Sequence, residues 1–111
     1  MQGMPELTFV AVAPVGSIPL GTGRAFPVGG KMVAVFCVGE DQYQSIDDFC
    51  PHMGASLAEG QLEEGVVSCP WHAWRFRVSD GTWCDNPKIK IDAYPVRVRD
   101  GQIEVGVATD S

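Results

Sequence analysis

Apolar positions in this chain come in short runs, some continuous and some alternating with polar residues, and turn-forming residues separate them. Leu7–Val12 is a brief apolar run. Arg24–Val28 and Met32–Val38 flank Gly29-Gly30, a pair suited to a two-residue hairpin turn. Gln42–Ile46 follows Gly39-Glu40-Asp41, another turn signal, and Gly65–Ser68 is short and β-branched. Trp74–Val78 and Thr82-Trp83 flank Asp80-Gly81. Val96-Arg97-Val98-Arg99 alternates apolar and basic residues, turns at Asp100-Gly101 and returns as Ile103-Glu104-Val105, which predicts a hairpin with one buried face. A single helical turn is expected around Ala55–Glu59. The pattern predicts an all-β domain of short antiparallel strands.

The length of 111 residues fits one domain spanning 1–111. Hydrophobic residues make up 45%, enough to bury a core, and 13 Gly with 8 Pro favour strands and turns over long helices. The net charge of −6 argues against nucleic acid and anionic membrane surfaces as partners. Residues 1–64 hold eight acids and two bases, whereas residues 65–111 hold six of each. The acidic half is a solvated face or a docking patch for a basic partner. The longest uncharged run, Leu7–Gly23, is broken by Pro14 and Pro19 and predicts no membrane helix. Nothing basic precedes it, as a signal peptide would require. A cytoplasmic chain is expected, with its four cysteines as reduced thiols or metal ligands.

The chemistry gathers in two segments, Phe49–Ala55 and Ser68–Trp74. Each of the two histidines lies within three residues of a cysteine, as Cys50-x-His52 and Cys69-x-x-His72, separated by the sixteen residues 53–68. Unrelated core residues would not pair every histidine with a cysteine. A structural zinc site accepts two Cys and two His, but zinc-finger spacing usually places both cysteines first. A two-iron, two-sulfide cluster takes two cysteines on one iron and two histidines on the other. The interleaved order, Cys-His then Cys-His, suits two loops closing on such a pair of irons.

With its surrounding residues the motif resembles the Rieske iron–sulfur family. The resemblance is carried by Cys50-Pro-His-Met-Gly-Ala-Ser-Leu-Ala-Glu-Gly, Gly65-Val-Val-Ser-Cys-Pro-Trp-His, Trp74-Arg-Phe and Asp80-Gly81, and by the closing Tyr94-Pro-Val-Arg-Val-Arg-Asp-Gly-Gln-Ile-Glu-Val. It covers about residues 6–107. It implies stacked antiparallel sheets with an inserted cluster-binding subdomain at about 48–88. It also implies one [2Fe-2S] cluster per chain, with Cys50 and Cys69 on the buried iron and His52 and His72 on the outer iron. Asp85-Asn86-Pro87 is expected to form a third loop over the cluster.

High-potential members of that family carry an extra cysteine in each ligand loop, joined in a disulfide. The corresponding residues here are Ala55 and Trp71. Those members also place hydroxyls where Trp74 and Phe76 stand, and the hydroxyls stabilise the reduced cluster. The fully oxidised centre with two thiolates is neutral, so reduction leaves one negative charge. An acidic chain with fewer donors disfavours that charge. A potential in the lower half of the range of about −150 to +300 mV is expected.

Cys37 is expected to be a buried small hydrophobe and Cys84 a packed thiol. Trp71, Trp74 and Trp83 form an electron-transfer surface or, more simply, are expected to shield the centre and fill a small core. Arg75 and Arg77 should share a solvated face. No phosphate-binding loop accompanies these features, and no histidine remains for a second metal or a triad. The resemblance therefore implies an electron carrier and not an enzyme. Its partners would be a flavoprotein NAD(P)H reductase and a terminal oxygenase such as an aromatic-ring dioxygenase. The alternative is the small subunit of an assimilatory NAD(P)H nitrite reductase, fixed to its large subunit. A zinc-stabilised interaction module is the third class.

Overall fold

The computed structural model describes residues 7–49, 55–70 and 74–108. Their strands begin with β1 (Leu7–Pro14), β2 (Gly23–Val28), β3 (Lys31–Gly39) and β4 (Gln42–Asp47). A 3₁₀ turn, Leu57–Glu59, leads to β5 (Gln61–Glu63), β6 (Val66–Ser68), β7 (Arg75–Arg77), β8 (Thr82–Trp83) and β9 (Asn86–Lys90). Three more follow: β10 (Ala93–Tyr94), β11 (Val96–Arg99) and β12 (Gln102–Ala108). They make three antiparallel sheets, ordered β1-β12-β11, β10-β4-β3-β2 and β5-β6-β7-β8-β9. The all-β class and the stacked antiparallel sheets agree with the sequence reading. No helix of the described residues is long and apolar enough to cross a membrane.

The stacking order is written in β3. Its apolar run lacks alternation, as expected of a strand covered on both faces. Val33, Val35 and Cys37 join Ile18, Val28, Tyr43, Ile103 and Val105 in one buried cluster. Ala34 and Phe36 join Ile46, Leu57, Val67, Phe76 and Val78 in another. The four-stranded sheet is therefore the middle layer. Each large apolar side chain in these clusters contributes about 1.5–3 kcal/mol through burial. Gly23 on β2 makes room for the middle layer, since a Cβ there would stand 2.5 Å from the Phe36 ring.

The expected hairpins form where turn chemistry is local. Gly29 and Gly30 have φ of +58° and +84° and close the pair Val28–Lys31. That left-handed pair matches the twist of the flanking strands. Asp100-Gly101 does the same for Arg99 and Gln102. The hairpin Val96–Val105 differs from expectation on one strand. Ile103 and Val105 are buried, but Val98 is 44% exposed, because β11 is the edge of its sheet. Arg97 instead donates from Nε to Glu104 at 2.6 Å and lies 3.9 Å over the Phe9 ring.

Three strands were not expected. β5 and β9 each hold a single large apolar residue, Leu62 and Ile89, and β10 is only two residues long. The helical turn expected around Ala55–Glu59 is the shorter 3₁₀ turn.

Candidate metal centre

Both ligand segments leave from the buried cluster that contains Phe36 and Phe76. The first is closed at its base by a bridge between Phe49 and Ser56. Asp48, only 5% exposed, braces that base. Its backbone N–H donates to the Met32 carbonyl at 3.0 Å and its carbonyl accepts from Leu57 N at 2.7 Å. Its Oδ1 accepts from Ser56 Oγ and from Ala58 N, both at 2.9 Å. These contacts tie the start of the segment to its end and to β3. Asp48 escaped the sequence reading, because a carboxylate before a cysteine shows nothing of the donors that tertiary folding brings to it.

The second segment is closed by Cys69, whose N–H donates to the Trp74 carbonyl at 2.7 Å. Cys69 is 3% exposed and packs with Ala55, Leu57, Val67 and Phe76. Gly60 brings the return of the first segment against the second: a Cβ there would collide with the Ser68 carbonyl oxygen. The structure thus draws the bases of both segments together and buries one expected ligand, Cys69, between them. Cys50, His52 and His72 lie outside the described residues, as do Met53 and Trp71. Among the described residues no three His, Cys, Asp or Glu side chains gather as metal ligands.

A soft thiol held inside the protein, at the junction of two closed loops, fits an iron–sulfur centre with a sheltered inner metal. Trp74 is partly buried and stacks on Trp83, with centroids 4.0 Å apart and planes 13° from parallel. Both indoles pack against the same apolar cluster, which supports shielding and core filling for these two. Trp83 Nε1 is buried and finds no hydrogen-bond partner among the described residues.

Other expected features fall into ordinary places. Arg75 and Arg77 are exposed on either side of buried Phe76, and Arg75 lies 3.6 Å from Asp85. Both members of that pair are more than half exposed, so it adds little. The Asp85-Asn86-Pro87 segment is not a free third loop. Cys84-Asp85 is a tight turn, and Asn86 opens β9 by pairing with Trp83. Cys84 is partly exposed, and its N–H donates to the Arg75 carbonyl at 2.8 Å. Cys37 is buried in the other cluster, where its Sγ donates to the Gly39 carbonyl at 3.3 Å.

Two titratable groups are shifted. The Thr82 backbone N–H and then its hydroxyl hold the Asp80 carboxyl below its ordinary value, helped by Arg77 and Lys90 and opposed by slight burial. Burial and then donation to Asp47, at 2.5 Å, push the Tyr94 hydroxyl well up.

The sequence profile of the Rieske [2Fe-2S] domain matches residues 8–95. The chain is 35% identical over 108 residues to the anthranilate 1,2-dioxygenase ferredoxin subunit of Burkholderia cepacia, a match covering 94% of this chain and 99% of that one. Among solved structures it is similar to a chain in the complex of reduced oxygenase and oxidized ferredoxin in carbazole 1,9a-dioxygenase. There the TM-score is 0.77 at 33% identity, covering 86% of this chain and 99% of that one. It also matches a putative NADH-dependent nitrite reductase small subunit from Mycobacterium tuberculosis, with TM-score 0.88 at 21% identity, covering 95% of this chain and 99% of that one. This last likeness is one of fold.

Proposed function

The chain belongs to the Rieske [2Fe-2S] domain family, and on that premise we propose that it is a one-electron carrier between an NAD(P)H-dependent flavoprotein reductase and a terminal oxygenase such as an aromatic-ring dioxygenase. The cofactor of the family is a [2Fe-2S] cluster, one per chain in the ferredoxins it resembles. The observation that carries the reading is the near full-length likeness to a dioxygenase ferredoxin subunit.

In this reading Cys50 and Cys69 are the thiolate ligands and His52 and His72 the imidazole ligands, on a cluster-binding subdomain at about 48–88. The bound cluster supplies a reversible one-electron step. The protein's own residues hold and shelter it. Asp48 and Ser56 fix the first loop, Cys69 N–H and the Trp74 carbonyl fix the second, and the Trp74–Trp83 stack keeps water from one side. The chain has no catalytic role of its own, and the reaction belongs to the partner oxygenase. Exposed Glu59, Glu63 and Glu64 favour transient, salt-sensitive docking to basic surfaces. A cytoplasmic location suits a partner that draws on NAD(P)H.

The test is isolation of the tagged protein from its native cells at low salt. A flavoprotein reductase or an oxygenase should accompany it and be lost as salt rises. NAD(P)H should then bleach its visible absorbance through the captured reductase. A large sirohaem protein that stays bound at high salt would overturn the carrier in favour of a nitrite reductase small subunit.

A further inference from the structure

We propose that the Trp83 indole N–H is a hydrogen-bond donor to a sulfur of the cluster and raises its reduction potential; this rests on the ligand assignment above. Three observations carry it. Trp83 Nε1 is buried and unpartnered among the described residues, and it is the one buried side-chain nitrogen or oxygen of theirs in that state. A buried donor without an acceptor is costly, so native structures rarely keep one.

The second observation is position. Val67, Phe76 and Trp83 are successive cross-strand partners on β6, β7 and β8, so their side chains share one face of the sheet. Val67 and Phe76 on that face pack in the buried cluster that contains Cys69, and Trp83 packs against it. The third is orientation by stacking. Trp83 lies nearly parallel on Trp74, the residue whose carbonyl closes the Cys69 loop. The indole is thereby held against the buried apolar layer that contains Cys69.

Thiolates and bridging sulfides are acceptors whose charge grows by one unit on reduction. A fixed donor therefore stabilises the reduced state more than the oxidised one. Trp83 would supply part of what the absent hydroxyls at positions 74 and 76 do not. The sequence gives no hint of this, because a tryptophan in a two-residue strand reads as packing.

Trp83→Phe removes the donor and keeps an aromatic ring for the stack. Iron and sulfide content should stay at the level of the unsubstituted protein. At a fixed poise the ratio of reduced to oxidised cluster should fall about tenfold, which is about 59 mV to the negative for one electron. In pulsed EPR of the reduced protein in D₂O, one exchangeable deuteron coupling should vanish with the substitution. A loaded variant with unchanged potential and unchanged deuteron couplings would overturn the assignment. Should Trp83→Phe not load, protein grown with ¹⁵N-indole tryptophan decides. Absence of an indole nitrogen coupling overturns the proposal, and a coupling retained in both Trp71→Phe and Trp74→Phe supports it. Failure of the ligand assignment itself is distinct: the unsubstituted protein would then hold no iron, no sulfide and no reduced EPR signal.

Discussion

On one side of β3, Val33 and Val35 meet Ile18, Val28, Ile103 and Val105; on the other, Ala34 and Phe36 meet Leu57, Val67, Phe76 and Cys69. The first core lies between sheets whose principal strands run six to nine residues, β1 to β4 and β12. It is mostly aliphatic, with Tyr43 as its buried ring. The second is roofed by strands of two to five residues. Two side-chain devices supplement it, the Asp48 brace and the Trp74–Trp83 stack. The contrast teaches that the framework draws its stability from strand pairing and burial. The site layer draws part of its own from polar ties and from what its loops bind.

Removing the cluster should break the comparison most visibly. Binding free energy at a metal site is also folding free energy for the segments that form it. Cys69→Ser should abolish the visible absorbance and the reduced EPR signal. Hydrogen exchange should then speed up across β5–β9 while β3 and β12 stay protected. Equal loss of protection in both layers would refute the division.

Phe36→Ala should be next in size, costing about 3–5 kcal/mol by urea unfolding, because it opens a cavity under the site layer. Asp48→Ala should cost about 3 kcal/mol, since it leaves the Ala58 N–H and the Ser56 hydroxyl without their acceptor. It should also slow cluster loading, whereas Val35→Ala on the framework side should lower stability and leave loading unchanged. Loading that responds equally to the two variants would erase the distinction.

The smallest effects are in pH, and they oppose one another. Tyr94, in the framework, is raised, so its contribution is complete below its ordinary value of about 10 and is lost as pH climbs through the raised one. Asp80, in the β7–β8 turn, is lowered, so its contribution holds above about 4 and is lost as pH falls through the lowered value. Tyr94→Phe should flatten the alkaline limb of the stability profile and Asp80→Asn the acid limb. The Asp80 effect is the lesser, because that carboxylate is almost fully solvated. A Tyr94 that ionises at an ordinary pH in absorbance titration would remove the alkaline limb.

Much of this fold was legible because its turns are local. Gly29-Gly30 and Asp100-Gly101 carry their conformation in their own chemistry. The apolar run Met32–Val38 announced a strand, and the structure adds that it is covered on both faces. β5, β9 and β10 were not legible, since an edge strand such as Asn86–Lys90, exposed along its whole length, has no apolar stripe to read. The site divides in the same way. The Cys/His spacing announced a metal centre, and the structure adds the burial of Cys69, while Cys50, His52 and His72 continue to rest on the motif. The bracing by Asp48 and the donor role proposed for Trp83 were not legible, because the neighbours of both residues arrive only through the stacking of sheets.

That β3 has no outer face limits how the protein can be taken apart. A protein engineer wishing to transplant the cluster-bearing sheet onto a foreign scaffold would need Ala34 and Phe36 as its floor. Those residues travel with Val33, Val35 and Cys37 on the reverse side, and these in turn demand Ile103 and Val105 from β12. The smallest portable module is therefore the whole three-layer stack.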